Sequence, residues 1–179
     1  MLFSYLYPHV MNFGFKSIGL MYLNDDSFVT LCGSMSAIVN AMSRFAFGHY
    51  FVRFGFKTLM KTIIGLIVIN ACSFVWFSHY HWTYLIAVLM FVVTYGGQLG
   101  SFPLVSDKLW GDRGALAYAI LLIGFDLSNV LGLIIYSWSI DYIGWGGVLM
   151  IFAGLSLVPL LWVDEIDREI ESKKHIFEL

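Results

Sequence analysis

A series of long apolar runs, almost free of charge, constrains this sequence more than any other feature. Six of them follow one another, at about 1–23, 27–47, 62–77, 82–105, 115–140 and 145–163. A helix needs roughly 20 residues to cross the hydrocarbon core of a bilayer. Only 12% of the residues are charged, whereas soluble domains carry about 25%. The sequence therefore predicts an all-α membrane protein with six transmembrane helices in a lipid bilayer and no soluble domain of useful size.

Basic residues are distributed unevenly between the segments that join these runs. The second-to-third loop, the fourth-to-fifth loop and the tail at 164–179 hold eight of the ten: Arg53, Lys57, Lys61, Lys108, Arg113, Arg168, Lys173 and Lys174. The other three loops hold none. Because loops rich in lysine and arginine stay in the cytoplasm, the sequence predicts a multi-pass protein with both termini on the cytoplasmic side.

Small and polar residues mark the predicted helix ends. Ser27 follows the polar turn 24–26 and is the expected N-cap of the second helix. Residues 48–61 are expected to form a basic loop, and residues 141–144 a turn. In the fourth run, glycine and proline predict a bend or a break, because proline removes a backbone hydrogen bond from a helix. The residues of this predicted bend are Gly96, Gly97, Gly100 and Pro103.

Arg44 is the charge that most needs an explanation, since it lies inside the second run. An unpaired charge in hydrocarbon is costly, so Arg44 must face water, a counter-charge or a ligand. Ser36 and Asn40 precede it at four-residue intervals, and residues spaced in this way share one face of a helix. A polar stripe is therefore predicted along the second helix. The alternative is an arginine that extends to the cytoplasmic surface, four residues before Gly48.

Three further polar side chains lie inside predicted helices. Asp126, in the fifth run, suits either proton coupling or an ion pair with Arg44, and a structural hydrogen bond is the alternative. Gln98 is either a contact to a substrate or a bond between helices. Lys16 either faces a cavity or reaches the outer surface. The two cysteines match no metal or redox spacing, and no cofactor is expected.

The loop after the second run carries the motif G-x-x-x-x-R-x-G-x-K, formed by Gly48, Arg53, Gly55 and Lys57. Together with six predicted helices, this motif resembles one half of a major facilitator superfamily transporter. In that family the loop joins the second and third helices of each half on the cytoplasmic side. Val52 stands where the family usually has aspartate. The resemblance implies the same fold and a gating role for the four motif residues.

Three stretches are similar to the oxalate/formate antiporter and monocarboxylate transporter branch of this superfamily. They are FKSIGLMYLNDDSF, the N-x-x-x-R-x-x-x-G pattern that contains Arg44, and YGGQLGSFPLVSDKLWG. The chain thus resembles the C-terminal half of such a transporter, in which Arg44 would bind a substrate carboxylate in a central cavity. Some members add a lysine in the fifth helix, where this chain reads GFD, so a monocarboxylate is expected. The other candidate binding residues are Asn40, Ser36, Gln98 and Asp126.

The expected function is secondary active transport of a small organic anion by alternating access, with or without a coupled proton. Six helices form only one wall of such a cavity, so the expected partner is a missing N-terminal half or a second copy of the chain. A membrane scaffold that keeps the fold without transport is the alternative. An enzyme is not expected, because no Ser/His pair, carboxylate pair or His-rich set shares a helix face. No nucleic-acid partner is expected either.

Overall fold

A computed structural model of the chain describes residues 2–177, and the side chains of residues 3–172. The described residues form helices and no strand, so the all-α prediction is confirmed for this part of the chain. The helices are α1 (Leu2–Leu23), α2 (Asp26–Phe77), α3 (His81–Trp110), a 3₁₀ turn (Gly111–Arg113), α4 (Gly114–Leu155) and α5 (Leu160–Phe177).

The helix α2 reverses direction at Gly55. Within α2 this glycine leaves helical geometry, with φ 81° and ψ 174°, a conformation that other residues rarely adopt. The hydroxyl oxygens of Tyr50 and Thr62 lie 3.4 Å apart, whereas twelve residues of straight helix would separate them by about 18 Å. The predicted loop at 48–61 is therefore wrong. Both of its arms are helical, and the reversal needs a single residue.

The helix α4 turns in the same way at Gly144, where φ is 61° and ψ −177°. The rings of Tyr136 and Trp145 lie 5.0 Å apart, although nine residues of straight helix would span about 13 Å. Of the turn predicted at 141–144, only Gly144 leaves helical geometry. After it, α4 ends at Leu155, before the predicted end at 163. Pro159 explains this, because its ring clashes with the carbonyl four residues earlier.

The connection between α1 and α2 is a tight turn. Asn24 adopts a positive φ of 51°, and Oδ1 of Asp25 accepts a hydrogen bond from the N–H of Phe28 at 3.0 Å. Asp25 is therefore the N-cap of α2. The prediction of Ser27 is wrong, because the carboxylate two residues earlier already satisfies a free N–H group of the first helical turn.

The segments that join the helices collect at two ends of the bundle. At one end, Nε2 of His81 lies 3.3 Å from Oδ2 of Asp25. At the other end, Gly55, Lys108 and Asp167 line one cavity of about 640 Å³. The turn within α2, the end of α3 and the tail helix α5 therefore lie together, and these are the segments that carry most of the basic residues.

A buried asparagine joins three helical segments in the core. Oδ1 of Asn70 accepts a hydrogen bond from the hydroxyl of Tyr7 in α1, and Nδ2 donates to the backbone oxygen of Ala87 in α3 at 2.8 Å. Neither Asn70 nor Tyr7 has exposed surface. Because a buried polar group without a partner is costly, these bonds fix how α1, α2 and α3 pack.

We expect Asn70→Ala to lower the free energy of unfolding by about 2 kcal/mol, because two buried hydrogen bonds are lost and their partners stay buried. Thermal unfolding of the purified protein in detergent, followed by tryptophan fluorescence, measures this effect. Asn12→Ala is the matched control, since Asn12 is exposed on α1. Equal shifts of the two variants would contradict a structural role of the Asn70 bonds.

The outer surface of the bundle carries many large apolar side chains. Trp76 and Trp138 each expose 78% of their surface, and Phe45 exposes 82%. Among the described residues, two stretches, Asp26–Phe77 and His81–Ser172, are long and apolar enough to cross a membrane by length and composition. Monomeric soluble proteins rarely present extended apolar surface to water. These features suggest that the chain associates with a membrane.

Candidate functional site

Arg44 lies on an exposed face of α2, in the segment before Gly55. Its Nε donates a hydrogen bond to Oδ1 of Asn40 at 3.1 Å, so two residues of the predicted stripe contact each other. Within the described residues, no carboxylate lies at ion-pair distance from the guanidinium. An arginine has five N–H donors, and Asn40 takes one of them. The terminal nitrogens Nη1 and Nη2 therefore remain available to a ligand.

A groove of about 770 Å³ lies beside Arg44, between α2 and α3. On the α2 side it is lined by the polar residues Asn40, Arg44 and His49 among apolar ones, and on the α3 side by Gly100, Pro103 and Leu104. Ligand sites are commonly apolar pockets with a few fixed polar groups. One guanidinium in an apolar groove suits a small anion with an apolar body.

Glycines of α3 allow α2 to approach closely at the level of Arg44. A Cβ atom added at Gly100 would lie 2.7 Å from the Cα atom of Arg44, and one added at Gly96 would lie 2.7 Å from the backbone oxygen of Asn40. Atoms at these distances overlap, so only glycine fits. Small residues at helix contacts serve this close approach in membrane proteins. The two glycines therefore set the position of the α2 backbone that carries Arg44.

The helix α3 is continuous through the predicted bend. It stays helical from His81 to Trp110, beyond the predicted end at 105, and Pro103 lies inside it. The helix is not broken at any of the four predicted bend residues. Gly97, the remaining glycine among them, packs against the ring of Phe47. The observed role of the glycines is thus close contact with α2.

His9 of α1 is surrounded by aromatic rings from three helices. Its ring centroid lies 4.3 Å from that of Phe125, 5.9 Å from that of Tyr5 and 5.9 Å from that of Tyr95. Only 3% of His9 is exposed, and its Nε2 has no hydrogen-bond partner in the described part of the chain. Buried polar atoms are usually paired, so Nε2 is an exception, while ring packing and a hydrogen bond to the backbone of Phe125 hold the imidazole in place.

Charges on α2 and α4 meet around Tyr95. Arg44 and Asp126 both lie within electrostatic range of the Tyr95 hydroxyl, and Arg44 is also in range of Tyr5. Asp126 is in range of His9 as well. Asp126 is exposed and forms no ion pair with any residue that the structure describes. The fold therefore brings the two candidate charges into one region without pairing them.

Three other candidate residues have partners of their own. Nε2 of the buried Gln98 donates to the backbone oxygen of Ser4 at 3.2 Å, which ties α3 to α1. The hydroxyl of Ser36 donates to the carbonyl three residues earlier at 2.6 Å. Nζ of Lys16 lies 2.9 Å from Oδ1 of Asp26, at the end of the bundle where α1 meets α2. Their donors thus serve contacts within the fold.

The four residues of the loop motif are placed in different surroundings. Gly48 lines the groove beside Arg44, and Arg53 is exposed. Gly55 forms the reversal of α2, and Nζ of Lys57 lies 2.9 Å from a carboxylate of α5. The motif therefore contributes one groove residue, one turn and one contact to the tail helix.

Sequence reasoning missed Tyr5 and His9 as parts of this region. Their four-residue spacing places both on one face of α1, which is the only signal in the sequence. Their aromatic neighbours lie on α3 and α4, far away along the chain. A cluster of this kind depends on how the helices pack, and the order of residues does not reveal it.

Arg44 offers charged N–H donors, the groups with which proteins bind anions. No group of three or more His, Cys, Asp or Glu side chains that could hold a metal ion occurs among the described residues. Comparisons with protein-family models, with curated proteins and with solved structures found no match to this chain.

Proposed function

We propose that the chain is a secondary active transporter, or the C-terminal half of one, that carries a small monocarboxylate by alternating access. The observation that carries this proposal is Arg44, an arginine with free terminal nitrogens on an apolar helix of membrane length, beside a groove of about 770 Å³. Its helical segments would form one half of a major facilitator superfamily fold. They are separated at 24–25, Gly55, 78–80, 111–113 and Gly144.

The geometry of Arg44 supports recognition of a carboxylate. Asn40 holds Nε, so the guanidinium plane is already oriented and its end carries the parallel donors Nη1 and Nη2. Two parallel N–H groups match the two oxygens of a carboxylate. The apolar part of the anion would pack on the glycine and proline of α3 that line the groove. A second carboxylate would find only the imidazole of His49 in this groove and no second lysine or arginine, which favours a monocarboxylate.

We assign proton coupling to Asp126. It is an exposed carboxylate that acts electrostatically on Tyr95, as Arg44 does, and it forms no ion pair with any described residue. Carboxylates on membrane-spanning helices are the groups that relay protons in transporters.

The bundle end that contains Gly55 and α5 is assigned to the cytoplasm, because the basic loops and the tail lie there. Both termini then face the cytoplasm. Arg44 and Asp126 are exposed on the bundle, and charges at membrane depth face protein or water. The facing wall of the cavity is therefore assigned to a second six-helix unit, either an N-terminal half or a second copy of the chain.

Uptake by proteoliposomes tests this function. We expect the purified chain, alone or with its facing unit, to take up labelled lactate or pyruvate with saturation, faster when the outside is more acidic than the lumen. Empty liposomes and a labelled dicarboxylate are the controls, and both should give only a linear leak. A linear leak for every anion would contradict transport and favour the scaffold.

A further inference from the structure

The helix α5 lies against the end of the bundle at which Gly55 turns the chain. Val163 and Ile166 lie three positions apart, and residues spaced in this way share one helix face. Together with Phe56 and Met60 of α2 they line one crevice. Val163 is 2% exposed. The apolar face of α5 is thus covered by the first turns of α2 after its reversal.

Two aspartates of α5 bind the same part of α2. Oδ1 of Asp167 accepts a hydrogen bond from the backbone N–H of Lys57 at 3.1 Å, across 110 positions of the chain. Oδ1 of Asp164 lies 2.9 Å from Nζ of Lys57 and 3.5 Å from Nζ of Lys61. The tail therefore contacts both the backbone and the side chains of this segment.

The hydrogen bond of Asp167 has the chemistry of a helix N-cap. The first N–H groups of a helix find no partner within it, and the side chain of the preceding residue usually accepts one from the second or third residue. Here Gly55 holds the preceding position and has no side chain, while Lys57 is the second residue after it. Asp167 supplies the missing acceptor, and its negative charge is favourable at a helix N-terminus.

We propose that α5 is a detachable clamp that caps the helical segment after Gly55 and holds this turn against the bundle, with Asp164 and Asp167 as its positioning residues. The paired side chains of Lys57 and Asp164 are 47% and 56% exposed. Exposed ion pairs contribute little net stability, and salt weakens them. Opening the clamp also exposes the covered apolar face of α5, so it is a local unfolding of the tail that leaves the bundle folded.

The charges of the clamp persist around neutral pH. Asp164 raises the pKa of Lys57, and Lys57 lowers the pKa of Asp164, in each case mainly through their hydrogen bond. The charge of Asp164 stabilises the contact between α5 and α2 above the ordinary pKa of aspartate, and this stabilisation is lost as the pH falls through its lowered pKa. The charge of Lys57 stabilises the same contact until the pH rises through its raised pKa. Other charged groups facing this region are Lys61, Asp107, Lys108, Asp112, Glu165, Asp167, Glu169 and Glu171.

Limited trypsin digestion of the purified full chain measures the release of α5 without reference to transport. Arg168 is exposed on α5, and a helix is cut when it opens locally. In the double variant Asp164→Asn/Asp167→Asn, cleavage after Arg168, divided by the cleavage rate of an unstructured peptide of residues 160–172 with the same substitutions, should be about fivefold faster or more, the factor expected for the loss of a cap. High salt should accelerate cleavage of the wild-type protein more than that of the double variant.

Asp141→Asn is the control, because it removes one exposed charge from α4, outside the residues that line the contacts of α5, and should leave the cleavage rate unchanged. Equal cleavage rates of the double variant and the wild type overturn the clamp. Should the double variant not fold, Lys57→Met/Asp164→Asn is compared with its two single variants. A combined effect smaller than the sum of the single effects supports the clamp, and simple addition of the two effects overturns it.

One consequence of the clamp rests on the proposed function: an open clamp frees the cytoplasmic end, so reconstituted double variant should take up the anion faster than the wild type. Slower or equal uptake by a variant with a released tail overturns this consequence. If the wild type shows no uptake, the proposed function fails, while digestion still decides on the clamp.

Discussion

Replacing Arg44 by alanine is expected to abolish saturable uptake of a monocarboxylate. The guanidinium offers two terminal nitrogens to the carboxylate, and hydrogen bonds to a charged group contribute about 1.5–3 kcal/mol each. Loss of both costs at least about 3 kcal/mol, which is roughly a hundredfold in affinity. Initial rates of uptake of labelled lactate, measured in proteoliposomes below saturation, should therefore fall by about two orders of magnitude.

Two variants distinguish recognition of the carboxylate by the guanidinium of Arg44 from a general effect of positive charge on uptake. Arg44→Lys keeps the positive charge but loses the planar pair of donors, so its uptake should lie between those of the alanine variant and the wild type. Arg113→Ala removes the same charge from an exposed turn and should leave uptake unchanged. Uptake by Arg44→Ala at the wild-type rate would show that this arginine only anchors the helix at the surface.

The features that could be predicted from the sequence are local ones. Apolar runs predict helices because each residue of a run contributes independently of the rest of the fold. The four-residue spacing of Asn40 and Arg44 predicts their contact, and the structure shows it as a hydrogen bond of 3.1 Å. The turns near 24–26 and 141–144 are likewise signalled by the polar residues and glycine that form them.

The second-to-third connection shows where local signals mislead. Glycine and basic residues at 48–61 are typical of a loop, yet only Gly55 leaves helical geometry. The helix that follows has its cap from Asp167, which lies in the tail. A sequence read in order cannot reveal a cap that comes from 110 positions away, because nothing near Gly55 indicates it.

The surroundings of Arg44 depend on contacts between distant helices for the same reason. Gln98 is a candidate ligand by sequence, but its amide nitrogen donates to Ser4 of α1, while its Oε1 has no partner among the described residues. Tyr5 and His9 carry no motif, yet packing places them against Phe125. The contact between Asn40 and Arg44 could thus be predicted from the sequence, whereas the contacts of Gln98, Tyr5 and His9 with other helices could not.

Replacing Gly100 by alanine is expected to force α2 and α3 apart at the level of the candidate site. The new Cβ atom would overlap with the backbone of Arg44, 2.7 Å from its Cα atom. Backbone atoms cannot rotate away as a flexible side chain can, and overpacking of this kind costs about 1–3 kcal/mol. The melting temperature in detergent should fall, and the KM for the anion should rise as Arg44 is displaced.

Gly65→Ala provides the matched comparison, because it makes the same chemical change inside a helix with no atom within 4 Å of the added carbon. Alanine is favoured over glycine in a helix by about 1 kcal/mol, so this variant should be at least as stable as the wild type. The difference in melting temperature between the two variants therefore measures the contact between α2 and α3, because the helix propensity of alanine over glycine is the same in both. Equal melting temperatures would show that the helices do not meet at Gly100. A folded Gly100→Ala protein with a raised KM and an unchanged kcat would show that the packing of α3 positions the guanidinium for the anion.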